Sequence, residues 1–103
     1  MSIKDRIDIE FQKTMEQADE LDELSGALCT MGSTGIEDAL TLLNKSFKGQ
    51  NANEYTQKVM RFKDRIYACA EILRGIAMMM RMTARLIYEA EMAAIGFVGV
   101  RMY

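Results

Sequence analysis

The chain has 103 residues, half of them apolar and 27% charged, with two cysteines and no histidine, proline or tryptophan. This composition fits one small globular or helical-bundle domain and excludes a disordered polymer. The net charge of −2 gives no electrostatic footprint for nucleic acid or an acidic membrane as partner.

The charge is unevenly placed. Residues 1–45 carry four basic side chains against ten carboxylates, a net of −6, and residues 46–103 carry nine against five, a net of +4. Two such halves attract when laid side by side, although exposed pairs add little to stability. The N-terminus, Met1-Ser2-Ile3-Lys4-Asp5-Arg6, is charged from its fourth residue and lacks the apolar core of a secretory signal peptide. The longest apolar runs, Ile76 to Met80 and Ile95 to Val100, fall far short of the roughly 20 residues of a membrane span. The expectation is a soluble chain.

From the N-terminus, Ile3, Ile7, Phe11, Met15, Ala18, Leu21, Leu24, Leu28 and Met31 recur at spacings of three and four, one stripe of a helix. Ser2 is placed to cap it, with Asp5 one turn in at the positive end of the helix dipole. Glu16, Asp19, Glu20, Asp22 and Glu23 make its middle acidic. Without histidine or the glycine hinge of a calcium loop, these carboxylates read as a solvated or basic-partner-facing surface and not as a metal site.

Met31-Gly32-Ser33-Thr34-Gly35-Ile36-Glu37 interrupts the pattern. Gly32 suits a helix C′ position and Thr34 with Glu37 a capping box, which predicts a kink and a second short helix from Gly35 to Lys45. The alternative is one helix from Ile3 to Asn44 that tolerates two glycines at about 1 kcal/mol each. The stretch Ser46 to Tyr55 follows, with Phe47 two residues before Gly49 and an Asn51–Glu54 pair able to cap the next helix. Glycine and asparagine turn the chain here.

The strongest periodic signal comes next. Tyr55, Val59, Phe62, Ile66, Cys69, Leu73, Ile76, Met80, Thr83, Ile87, Ala90, Ala94 and Phe97 alternate spacings of four and three, the repeat of a coiled-coil or bundle seam. One flank holds Ala70, Ala77 and Ala84, and the other Ile72, Met79 and Leu86. The small flank lets a helix approach closely, and the large flank needs a further cover. A two-helix hairpin alone buries little surface for its length, so the sequence predicts that two hairpins pair into a four-helix bundle. Gly96 and Gly99 predict a frayed tail.

Cys29 and Cys69 each lie twenty residues from Gly49, at about the same level of an antiparallel hairpin. Small buried thiols are the default, and a disulfide is the alternative. Met78, Met79, Met80 and Met82 form an adaptable apolar patch, either core filler or a surface for a helical partner. No histidine, phosphate loop, nucleophile elbow or metal-binding pair supports an enzyme, and no cofactor is expected.

In Phe47-Lys48-Gly49, in Ala52 and Tyr55, and in Thr83-Ala84-Arg85-Leu86-Ile87-Tyr88-Glu89-Ala90-Glu91, the chain resembles the WXG family. These are roughly hundred-residue helical-hairpin substrates of the type VII (ESX) secretion system, here in the form found in Gram-positive Firmicutes. The resemblance covers about Ile36 to Ala94 in register and the first helix by pattern only. Two departures stand out. Phe47 replaces the tryptophan and lacks its indole N–H. The family's export element places an acid four residues after a tyrosine, whereas here position 92 is methionine and Glu91 lies three after Tyr88, still on the same helix face.

The resemblance implies a hairpin that pairs with itself or with a related WXG-like protein and is exported folded, without a cleaved signal peptide. Phe47 and Gly49 would shape the turn, or Phe47 would merely staple it shut. Tyr88 and Glu91 would be read by the export machinery, including its secretion ATPase. Small members often accompany a larger toxin with a helical N-terminal domain, so the alternative is a non-secreted adaptor that escorts such a protein.

The expected fold is all-α, a single hairpin domain with a first arm over about 3–31 and 35–45, a turn at 46–51, a second arm at 52–95 and a tail at 96–103. The dimer or bundle seam is expected at Tyr55, Val59, Phe62, Ile66, Leu73, Ile76, Met80 and Ile87.

Overall fold

The computed structural model describes residues 2–46 and 49–101, with Gln50 and residues 97–101 described as backbone alone. The described elements are helical throughout: α1 (Ile3–Thr30), a π-helical turn (Met31–Gly35), α2 (Ile36–Ser46) and α3 (Gln50–Arg101). The fold class is therefore all-α, consistent with a helical hairpin. None of these helices is long and apolar enough to cross a membrane.

α1 begins as its first residues dictate. The Asp5 backbone N–H donates to Ser2 Oγ at 3.0 Å, and the Ser2 nitrogen donates to Asp5 Oδ2 at 3.3 Å. This reciprocal pair satisfies donors that no earlier helical turn can reach.

The Gly32–Gly35 stretch does not end the helix. Gly32 is not left-handed, since among the described residues only Gly49 has a positive φ, and both residues flanking the π turn are right-handed helical. Instead the Ile36 N–H donates to the carbonyl of Met31, five residues back, and to that of Ser33. The extra residue is absorbed as a π turn, and the chain runs on into α2. Glu37 and Asp38 in the first turn of α2 and Lys45 in its last complement the helix dipole.

Gly49 has φ +91°, which an L side chain adopts only with strain. Its carbonyl accepts from the Asn53 N–H at 3.4 Å, so Gly49 takes the N-cap place of α3. Asn51, expected as the cap, lies inside the helix. At the other end α3 continues through Gly96 and Gly99 to Arg101, where the sequence predicted a frayed tail from 96. Two isolated glycines cost about 1 kcal/mol each in a helix and supply no left-handed stop.

The contacts divide the chain into two units, Met1–Leu21 with Gly75–Tyr103, and Asp22–Arg74. In the second unit Ser25, Gly32, Ile36, Ala52, Ile66 and Ala70 are buried. Ser25 Oγ donates to the Ala70 carbonyl at 2.7 Å, and a Cβ on Gly32 would stand 3.2 Å from the Tyr67 ring and 3.3 Å from Ile66. These two contacts set α1 and the π turn antiparallel to α3 in this unit and bring the backbones close together. In the first unit Ile7, Ala18, Ala77 and Ala84 are buried. Arg81 pairs with Asp19 at 2.7 Å and Tyr88 with Asp8 at 2.9 Å, again an antiparallel arrangement.

Both helices thus bury small residues at heptad spacing: Ala18, Ser25 and Gly32 on one, Ala70, Ala77 and Ala84 on the other. The sequence stripe placed Leu24 and Met31 where Ser25 and Gly32 are found, and both large residues are about half exposed. Close helix approach selects the small neighbour and turns the large one outward. The same offset explains the thiols. Cys69, expected to be buried, is exposed because contact runs through Ala70, while Cys29 is half-buried. The two cysteines lie at about one level, yet both are free, and Cys29 Sγ accepts a long contact from Arg74 Nη2 at 3.7 Å.

Candidate functional site

An apolar groove lies in the unit of Met1–Leu21 and Gly75–Tyr103. α1 presents Ile7, Phe11 and Thr14, and α3 presents Ile76, Met80, Thr83 and Ile87, around an open groove of about 490 Å³ floored by Ala84. The groove exists because the helices meet through small residues. Ala77 and Ala84 bring α3 close to α1, and the larger side chains one position away splay to either side and leave a trough.

Tyr88 closes one part of the wall. Its ring lies 4.8 Å from that of Phe11 between centroids, tilted by 43°, a separation at which aromatic pairs attract. Its hydroxyl donates to Asp8 Oδ1. Donation to a carboxylate, then desolvation, then the charge of Asp8 hold the phenol pKa above its ordinary value. Each acts by disfavouring the phenolate. Glu91 also lines this groove, as does Glu10 on the α1 side. The two residues of the anticipated export element therefore share one surface, and the tyrosine hydroxyl is occupied within the chain.

α3 leaves large apolar side chains in solvent, some of them on the wall of the groove. Met79 is 68% exposed, Leu86 65%, Ile72 62%, Ile87 51% and Ile76 43%. Of the predicted seam, Ile66 is buried and Val59, Leu73 and Met80 are half-buried, whereas Tyr55, Phe62, Ile76 and Ile87 are exposed. Cys69, Ile76, Thr83 and Ile87 of the repeat are exposed and give way to Ala70, Ala77, Ala84 and Tyr88, one residue on. The heptad period was legible in the sequence, but its phase was set by residue size.

Gly49, expected to shape the turn, has a positive φ just before α3, and Phe47, expected to plug that turn, lies outside the described residues. The contact between Tyr88 and Asp8 was not anticipated, because no local pattern links positions eighty residues apart. Among the described residues no three cysteine, aspartate or glutamate side chains converge as a metal site requires. No family model, curated protein or solved structure matches the chain.

Proposed function

We propose that this chain is a helical interaction module of WXG type, a small substrate of type VII secretion that works paired with a second helical hairpin, either itself or a related chain. One observation carries the reading. The small-residue faces of the helices are satisfied within the chain, while large apolar side chains on α3, Met79, Met82 and Leu86, remain in solvent. Exposed apolar surface of this kind marks an interaction site, and a second helix pair laid on it completes a four-helix bundle. The positive φ of Gly49 agrees with the family's glycine turn, and Tyr88 and Glu91 share one groove, as a joint recognition element would require. The secretion ATPase is the machinery expected to read them.

A second reading rests on the Tyr88 hydroxyl, which is engaged by Asp8. If export needs that hydroxyl free, the chain serves as a non-secreted escort and the signal belongs to its partner, such as a larger toxin with a helical N-terminal domain. The deciding experiment follows the protein in culture supernatant and cell pellet, with and without the secretion ATPase, alongside light scattering of the purified chain. ATPase-dependent release supports the substrate. Retention in cells together with a stable complex supports the escort, and a monomer that is neither released nor complexed defeats both.

A further inference from the structure

We infer that the groove between α1 and α3 takes an amphipathic helix from a different chain, one that carries lysine or arginine beside its apolar stripe. The inference rests on the reading of this chain as an interaction module and narrows the partner. From Ile76 to Glu91 the groove follows α3 for 16 residues, about 22 Å of helix, which suits a helix laid alongside. Phe11, Ile76, Met80 and Ile87 offer apolar contacts at the spacing that anchors of such a helix use. Met79 and Met80 can repack around different anchors.

The rim decides the charge of the occupant. Its charged side chains are Glu10 on α1 and Glu91 on α3, with no lysine or arginine among the described lining residues. Among the described residues neither glutamate is in an ion pair. A second copy of this chain seated groove to groove would bring its own Glu10 and Glu91 against the same two carboxylates, and like charges across an interface suppress that pairing. A helix with basic flanks meets both carboxylates with opposite charge and leaves the apolar anchors in register.

The test uses the full chain and two synthetic amphipathic peptides with identical leucine stripes, one flanked by lysine and the other by glutamate, with binding read by fluorescence anisotropy. The lysine peptide is expected to bind about fivefold to tenfold more tightly, what two part-exposed ion pairs supply together. That preference should vanish in Glu10→Gln/Glu91→Gln and persist in Glu20→Gln/Glu23→Gln, which removes equal charge outside the groove. Met79→Asp should weaken both peptides.

Equal binding of the two peptides would overturn the inference, as would a lysine preference that survives Glu10→Gln/Glu91→Gln. So would a homodimer that Met79→Asp converts to monomer, an outcome that leaves the secretion reading standing. Peptide preference as expected with no ATPase-dependent release or escort complex would instead sink the secretion reading and keep the groove.

Discussion

The Ser25 hydroxyl donates to the main-chain carbonyl of Ala70 at 2.7 Å, fully buried, across the contact between α1 and α3. A serine hydroxyl on one helix can reach the backbone of another only where the two lie close. Removing it tests that approach. Ser25→Ala loses one buried hydrogen bond and is expected to cost about 0.5–1.5 kcal/mol. Ser25→Leu overfills the contact and should cost more, about 1–3 kcal/mol. Urea unfolding followed by circular dichroism reads both, and a stabilising Ser25→Leu would mean that the helices are not held this close.

The glycines divide by what surrounds them. Around Gly75 nothing lies within 4 Å of an added Cβ, so Gly75→Ala should stabilise α3 by about 0.4–1 kcal/mol through helix propensity and a less free unfolded chain. Gly32→Ala gains the same propensity but presses a methyl against Tyr67 and Ile66, and it should forfeit most or all of that gain. Gly49→Ala has open space yet a φ of +91°, and should cost about 1 kcal/mol or more. Thermal melts of the three variants should therefore rank Gly75→Ala above Gly32→Ala and Gly49→Ala lowest.

Tyr88 makes stability depend on alkaline pH. Its folded pKa is raised by the hydrogen bond to Asp8, by desolvation and by the Asp8 charge, so the folded state holds the phenolic proton more tightly than the unfolded one. The contribution is complete below the unfolded tyrosine value of about 10 and is lost as pH rises through the folded pKa. Tyr88→Phe should flatten the part of the stability profile above pH ~10 that belongs to this residue. An unchanged alkaline slope in Tyr88→Phe would show that the hydroxyl is not held by Asp8 in solution.

Leu86 and Ala84 lie two residues apart in α3 with opposite surroundings, 65% and 8% exposed. Leu86→Glu should leave the stability of an isolated chain within about 0.5 kcal/mol while weakening any assembly formed through this face. Ala84→Leu should destabilise the chain itself by about 1–3 kcal/mol. Light scattering paired with urea melts separates the two effects. A Leu86→Glu protein that unfolds would place Leu86 in the chain's own core.

Much was legible from local pattern. The reciprocal bonds of Ser2 and Asp5 follow from their spacing, the helical class from the three-and-four recurrence of apolar residues, and the turn at Gly49 from the lack of any proline. The alanine heptad 70, 77, 84 by itself signals a close helix contact. Tertiary structure decided which residues fill that contact. A stripe drawn through the largest apolar residues runs through Leu24, Met31, Ile76 and Ile87, but two helices that approach closely exclude bulk and choose Ser25, Gly32, Ala77 and Ala84. The interruption at Gly32–Gly35 was visible in the sequence, whereas its form, a π turn that carries the helix on and not a left-handed stop, was decided by the structure. The bond from Tyr88 to Asp8 depends on the register of two distant segments, and that register is set by the small residues between the helices, not by either segment alone.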